Sequence, residues 1–184
     1  MTKYKLHLTS LLLLVSVISF SQDKEEIPWG RPLSWEDFKG EPKTHTHHKA
    51  TSNMGIKMKY SWKWKNNQLK LKYEVNTVFN PNYSWVKSGK ESRELLKHEQ
   101  IHFDITEIMA RKLRKFFSEN KFKLNAVRSK IDEVTRILQQ ENREMQETYD
   151  QETNHGNRPK KQAEWRQHIQ NELEKLHQYR TPTN

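Results

Sequence analysis

From Ile56 to Lys65 the chain alternates without a break: Ile56, Met58, Tyr60, Trp62 and Trp64 take the even positions, and Lys57, Lys59, Ser61, Lys63 and Lys65 the odd ones. From Leu69 to Val75 the apolar residues Leu69, Leu71, Tyr73 and Val75 fall on odd positions instead. A period of two predicts strands with one face turned to a core. Asn66-Asn67 stands between the runs, and asparagine tolerates the positive φ that a two-residue hairpin turn requires. Such a turn sets Trp64 opposite Leu69, Trp62 opposite Leu71, Tyr60 opposite Tyr73 and Met58 opposite Val75, so turn and pattern agree on register. The apolar face, Trp62 and Trp64 included, is expected in the core. The other face is a lysine-rich, solvated one, on which Lys63 opposite Lys70 is an unfavourable pair tolerable only in water.

After the hairpin the period changes. Asn80-Pro81-Asn82 breaks the sheet, Tyr83 to Val86 reads as another short strand, and Ser88-Gly89-Lys90-Glu91 reads as a capping box. The spacing then predicts a helix to about Phe117 with Leu95, His98, His102, Ile105, Met109, Leu113 and Phe116 along one stripe, stopped by Asn120. A second helix is predicted from about Asn125 to Thr153, with Ile131, Val134, Leu138, Met145 and Tyr149 on one side and Gly156 placed to cap it. Pro159 can open a third helix carrying Trp165, Ile169, Leu173 and Leu176, and the tail after Tyr179 is expected to fray. Upstream, Ser34-Trp35-Glu36-Asp37 suits one short helical turn ended by Gly40 and Pro42, and residues 43–54 read as loop or edge. The expected fold class is therefore α+β, a small antiparallel β-sheet (hairpin about 55–79) packed on long helices.

Composition adds limits. The chain has 184 residues, of which 10 % are aromatic, so wholesale disorder is not expected despite a mean hydropathy of -1.11. It has no cysteine, which excludes disulfide scaffolds, thiol catalysis, iron–sulfur clusters and cysteine-type zinc ribbons. Residues 1–21 read as a signal peptide: Lys3, Lys5 and His7 form a basic start, Leu11 to Phe20 an apolar core too short to span a bilayer, and Ser19 and Ser21 small residues before a cut at Gln22. An uncleaved anchor is the alternative. The remainder, 22–184, reads as one domain, secreted or periplasmic, with no transmembrane segment. Loss of Lys3 and Lys5 with the leader lowers the formal net charge from +10 to +8. That charge points to an anionic envelope surface as a partner rather than to a specific nucleic acid, because the cations are spread along strands and helices with no reader motif.

The chemistry lies in His98-Glu99-Gln100-Ile101-His102. Positions four apart share a helix face, so the two imidazoles can reach one metal ion. Glu99, turned about 100° from His98, can reach a water in the ion's open position. This is the zincin arrangement: two His ligands for Zn2+, and a Glu that takes the proton from the attacking water and hands it to the leaving amine. A catalytic zinc needs a third protein ligand. The thermolysin-like Glu about twenty residues on is missing from its place, and Phe103-Asp104-Ile105-Thr106 replaces the metzincin continuation. His155, which an antiparallel helix pair brings back beside the start of the first helix, is the preferred third ligand, with Glu152 or Asp150 as carboxylate alternatives.

The chain resembles the bacterial family DUF922, whose members are often labelled secreted zinc-dependent proteases. The resemblance rests on Leu33-Ser34-Trp35-Glu36-Asp37-Phe38-Lys39-Gly40-Glu41-Pro42, on Ala50-Thr51-Ser52, on Leu95 to Ile105 around the histidine pair, and on Tyr149-Asp150, Thr153, His155-Gly156 and Trp165. It implies an extracytoplasmic, zincin-like metalloprotein with His98 and His102 as ligands and Glu99 as base, and it raises His155 as the third ligand. A peptide or related amide is the expected substrate, held in extended form along Tyr83 to Val86 by analogy with zincins. A zinc-pinned, non-catalytic envelope-binding module is the alternative. Tyr149 is a candidate for stabilising the oxyanion, if its hydroxyl points at the metal, and is otherwise a core residue. Asp104, with Glu94 as its rival, is a candidate acceptor for a ligand imidazole or for neighbours of the first helix. His45, His47 and His48 form a second, exposed histidine group.

Overall fold

In the computed structural model, which describes residues 26–65 and 68–181, the elements follow in the order β1 (Ile27–Pro28), a 3-10 turn (Trp35–Asp37), β2 (Ala50–Thr51), β3 (Met54–Lys65), β4 (Gln68–Phe79), a 3-10 turn (Pro81–Tyr83), β5 (Trp85–Val86), α1 (Arg93–Glu119), α2 (Val127–Thr153), α3 (Pro159–Lys175) and a last 3-10 turn (His177–Tyr179). The leader read at 1–21 and the Asn66-Asn67 turn lie outside the described residues. The fold is mixed α+β, with two small antiparallel sheets and three helices among the described residues. One sheet has the order β1-β4-β3 and the other pairs β2 with β5. Among the described residues no helix is long and apolar enough to cross a membrane.

The hairpin register is the one that the alternation requires. Trp64 stands opposite Leu69, Trp62 opposite Leu71, Tyr60 opposite Tyr73 and Met58 opposite Val75. Its apolar face is buried only toward the open end, however. Val75 and Phe79 are buried, whereas Trp62 is 38 % and Trp64 57 % exposed, against the expectation that both lie in the core. The cause is length. The Tyr73 ring already meets Phe117, in the last turn of α1, so the strands run on past the helix that covers them.

Helix α1 starts later than the Ser88–Glu91 box suggests. Gly89 sits at φ 74° in a turn, and Ser92 is the N-cap, its side chain accepting from the Leu95 amide at 3.2 Å. The helix runs through the middle of the molecule. One side packs Ile101, Ile105, Ile108, Met109 and Leu113 with Val75, Ile131, Leu138, Tyr149 and Ile169; Phe103 packs on the other with Leu33, Phe38 and Phe79. A buried ionic hub interrupts the apolar core. Glu107 accepts from Arg111 at 2.9 Å, from Arg114 at 2.5 Å and from Thr77 at 2.8 Å. Arg114 also donates to the carbonyls of Val75 (2.7 Å) and Tyr179 (2.5 Å) and to Thr181 (2.8 Å), and Arg111 to the Leu173 carbonyl (2.6 Å). The described part of the tail expected to fray is thus pinned at Thr181; residues 182–184 lie outside the described residues.

Ahead of β2, the Trp35–Asp37 turn is the capping box read from the sequence. Asp37 accepts from the Ser34 amide at 2.8 Å and takes a two-pronged grip from Arg31 at 2.8 and 2.7 Å. The Leu33 amide donates to Gln100 on α1 at 2.8 Å, which ties this segment to the helix face beside His98 and His102. The Arg31 hydrogen bonds outweigh burial and hold the Asp37 carboxyl below the usual carboxylate range. A carboxyl with a lowered folded-state pKa stabilises above its unfolded value, near 4, and loses that contribution as pH falls. Asp37→Asn is therefore expected to lower stability by about 1 kcal/mol at neutral pH. Denaturant melts at stepwise lower pH should show this gap closing below about pH 4.

Candidate metal centre

Helices α1 and α2 are antiparallel neighbours, so the last turn of α2 lies against the second turn of α1. His98 and His102 project from one face of α1, and Asp150 meets them from α2. The two Nε2 atoms are 3.1 Å apart, and each lies 3.0 Å from Asp150 Oδ1. These three atoms open on a cleft of about 490 Å³, whose far wall is the chain from His47 to Met54.

The outer contacts fix how the imidazoles present themselves. His98 Nδ1 is 3.3 Å from Gln162 Oε1, while the amide nitrogen of Gln162 is engaged with the Tyr149 hydroxyl. His102 Nδ1 meets Gln146 Oε1, while Gln146 Nε2 donates to the His102 carbonyl at 2.9 Å. In both cases an amide oxygen faces the ring, so Nδ1 carries the proton and the neutral ring leaves Nε2 bare. Two nitrogen lone pairs and a carboxylate oxygen then converge within about a van der Waals contact, and they repel one another unless a cation lies among them. The donor set fits a divalent ion in size as well. Ligand bonds of 2.0–2.1 Å in a tetrahedron put ligand atoms about 3.3 Å apart, close to the 3.0–3.1 Å seen.

The electrostatics agree. Burial alone raises the Asp150 carboxyl's pKa, but when a proton sits on Nε2 of His102 or His98 in place of a metal ion, the hydrogen bond it makes to the carboxylate outweighs burial and holds the group well below its ordinary value. Burial likewise opposes a charge on His102, yet Asp150 and Glu99 outweigh it and raise the ring's affinity for a proton. The site draws positive charge, and proton and metal compete for it.

The position preferred for His155 is taken by Asp150. The chain leaves α2 through two left-handed residues, Asn154 at φ 50° and His155 at φ 51°, which cap the helix in place of Gly156. This turn carries His155 to the rim, where its Nδ1 lies 3.5 Å from Asp150 Oδ2 and its ring meets His48 edge-on at 5.4 Å. Gly156, at φ 77°, backs directly onto His98: a Cβ there would come within 3.2 Å of the imidazole. Glu152, the other carboxylate considered, accepts from Trp165 at 2.9 Å.

Tyr149 does not face the cleft as an oxyanion donor. It is fully buried, stacks on the His98 ring at 4.7 Å, accepts from Gln162 and donates toward the His98 carbonyl at 3.4 Å. Burial pushes its phenol pKa up, so it stays a neutral wedge that positions His98. Asp104 touches neither imidazole. It accepts from Trp29 at 2.8 Å and Gln100 at 2.9 Å, and burial pushes its pKa up to about 6. Glu94 pairs with Lys97 instead. Glu99 is buried at the cleft wall, where the Ser52 hydroxyl donates to its carboxylate. Of the segment Tyr83 to Val86 expected as docking edge, β5 pairs along one side with β2, and it is β2 that lines the cleft. His47 and His48 stand on the same wall.

Three contributors escape a reading for metal motifs: Gln146, Gln162 and Ser52. Gln146 lies one turn before Asp150, and Gln162 is buried on a helix whose other buried residue is Ile169. A buried amide on an otherwise apolar face was the available signal.

Residues 34–156 match the family described as bacterial protein of unknown function, DUF922, and the chain belongs to it. No curated protein and no solved structure matches the chain.

Metal analysis of purified variants separates the candidate ligands. Asp150→Ala is expected to lose stoichiometric metal and His155→Ala to keep it. Gln162→Leu is expected to bind with about 10–100-fold lower affinity, as for other outer-shell partners, measured by chelator competition.

Proposed function

We propose that this member of DUF922 is a zinc-dependent hydrolase of peptide or related amide bonds that acts outside the cytoplasm. The observation that carries the reading is the place of Glu99. It follows His98 directly, lines the same cleft as the two Nε2 atoms, and is near enough to act on the charge of His102. Two imidazoles and one carboxylate are a donor set that suits zinc and leaves a coordination position for chemistry.

When bound, the ion supplies Lewis acidity toward a carbonyl and toward water. The chain supplies the rest. Glu99 accepts the proton of the attacking water and returns it to the leaving amine. Ser52 holds the Glu99 carboxylate from the opposite wall. Gln146 and Gln162 keep the Nδ1 protons in place, so both Nε2 atoms stay free to ligate. Pairing of β2 with β5 uses the main chain of Lys49, whose carbonyl accepts from Lys87 at 2.8 Å, and Asn53 bonds to the Ser84 side chain at 2.8 Å. By strand alternation the main-chain groups of Ala50 and Ser52 point to the opposite edge, where an extended substrate can add as a further strand.

One observation favours the zinc-pinned binding module instead. His155 stands 3.5 Å from the second oxygen of Asp150, and a small turn of this rim residue into the site would close the fourth position.

Glu99→Gln distinguishes the two. Under the hydrolase reading the variant folds, keeps stoichiometric zinc and loses about 10²–10⁴-fold in cleavage of a mixed peptide library. Failure of the zinc-loaded wild type to cleave such a library would leave the binding module as the function.

A further inference from the structure

The far end of the hairpin carries a surface that the metal centre does not explain. Trp62 and Trp64 are exposed there, on the same face as the half-buried Leu69 and Leu71, and Trp62 stacks on Tyr60 at 5.9 Å. The loop between α1 and α2 lies at the same end. Its Phe122 packs on Phe116 at 5.6 Å, whereas Leu124 is 54 % exposed. Two bulky indoles in water are costly, and on a solvated surface such a group marks an interaction site.

Charge is graded along the same hairpin. Near its root the lysines have acids to hand: Lys57 pairs with Glu26, and Lys59 stands opposite Glu74. Toward the tip no acid stands across from Lys63, Lys70 or Lys72. Lys63 faces Lys70, and Lys72 faces Ser61. Like charges directly opposed destabilise a strand pair, so this end gains from an anionic partner. Lys121 and Lys123, both exposed, flank Leu124 in the neighbouring loop.

We propose that this tip enters the surface of an anionic lipid bilayer end-on, so that Trp62 and Trp64 on one face of the hairpin reach the headgroup–acyl boundary while Lys63, Lys70 and Lys72 on the other face meet lipid phosphates. Tryptophan suits that boundary because its ring is apolar and its N–H polar, and each lysine near an anionic leaflet adds attraction. A soluble polyanion would call for the lysines but leave the indoles in water. The metal centre is at the other end of α1, about 30 Å away for the some twenty residues from His98 to Glu119, so anchoring here holds the cleft clear of the surface. This does not depend on what the cleft does.

Vesicle co-sedimentation tests it, using the chain from Gln22 onward, which contains every described residue. Binding is expected to vesicles of phosphatidylglycerol and phosphatidylcholine mixed, to rise with the phosphatidylglycerol fraction, and to be absent on phosphatidylcholine alone. Trp62→Ser/Trp64→Ser, with an unchanged far-ultraviolet spectrum and melting temperature, should lower the partition constant at least about tenfold, and Lys63→Glu/Lys70→Glu should do so as well. Absence of binding at any phosphatidylglycerol content overturns the proposal. So does binding that the tryptophan variant leaves intact and the lysine variant abolishes, since that is contact with a polyanion and needs no bilayer.

Discussion

Three electron-rich atoms held about 3 Å apart resist one another, and the rest of this fold can be understood as the means of holding them there. Neither imidazole is placed by its own helix alone. His98 is clamped by Gln162 from α3, by the stacked ring of Tyr149 from α2 and by Gly156 in the turn between them. His102 is held by Gln146 one turn before Asp150 on α2. The helices are brought together by ordinary apolar packing of Ile101, Ile105, Ile131 and Ile169, and that packing supplies the free energy that offsets the local repulsion.

The same helix carries two polar systems buried in series. The metal triad occupies its first turns, and the Glu107–Arg111–Arg114 hub its second half. Asp104 lies between them, bonded outward to Trp29 rather than to either neighbour. The triad has an excess of lone pairs and could hold a cation. In the hub, two guanidiniums share one carboxylate and spend their remaining donors on backbone carbonyls and Thr181. Both are satisfied by three or more separate elements, so each also fixes how those elements meet.

What was legible in the chain divides along these lines. Strand register followed from alternation, because a slip of one residue in β3 would have turned Ile56, Met58 and Tyr60 to the lysine face together. The histidine pair was legible because its partners are four apart on one helix. The third ligand was not, since the choice among Asp150, Glu152 and His155 depends on where α2 stops, and two left-handed residues decide that. Trp62 and Trp64 looked like core because alternation reports the face of a strand and not how far the covering helix extends. Tyr149 was placed correctly on the core stripe, but the direction of its hydroxyl depends on Gln162, a residue on another helix. The ionic hub left no trace in a hydrophobic pattern, because an apolar period does not report the burial of charged residues such as Glu107, Arg111 and Arg114.

The hub also has a bearing on how the fold comes apart. Arg114, on the central helix, donates to the Val75 carbonyl in β4 and to Tyr179 and Thr181 beyond α3. A buried guanidinium whose acceptors stand so far apart in sequence is satisfied only while all of those segments are docked. Loosening any one of them leaves a charge short of partners in the interior, which couples the opening of sheet, helix and final turn into one cooperative event.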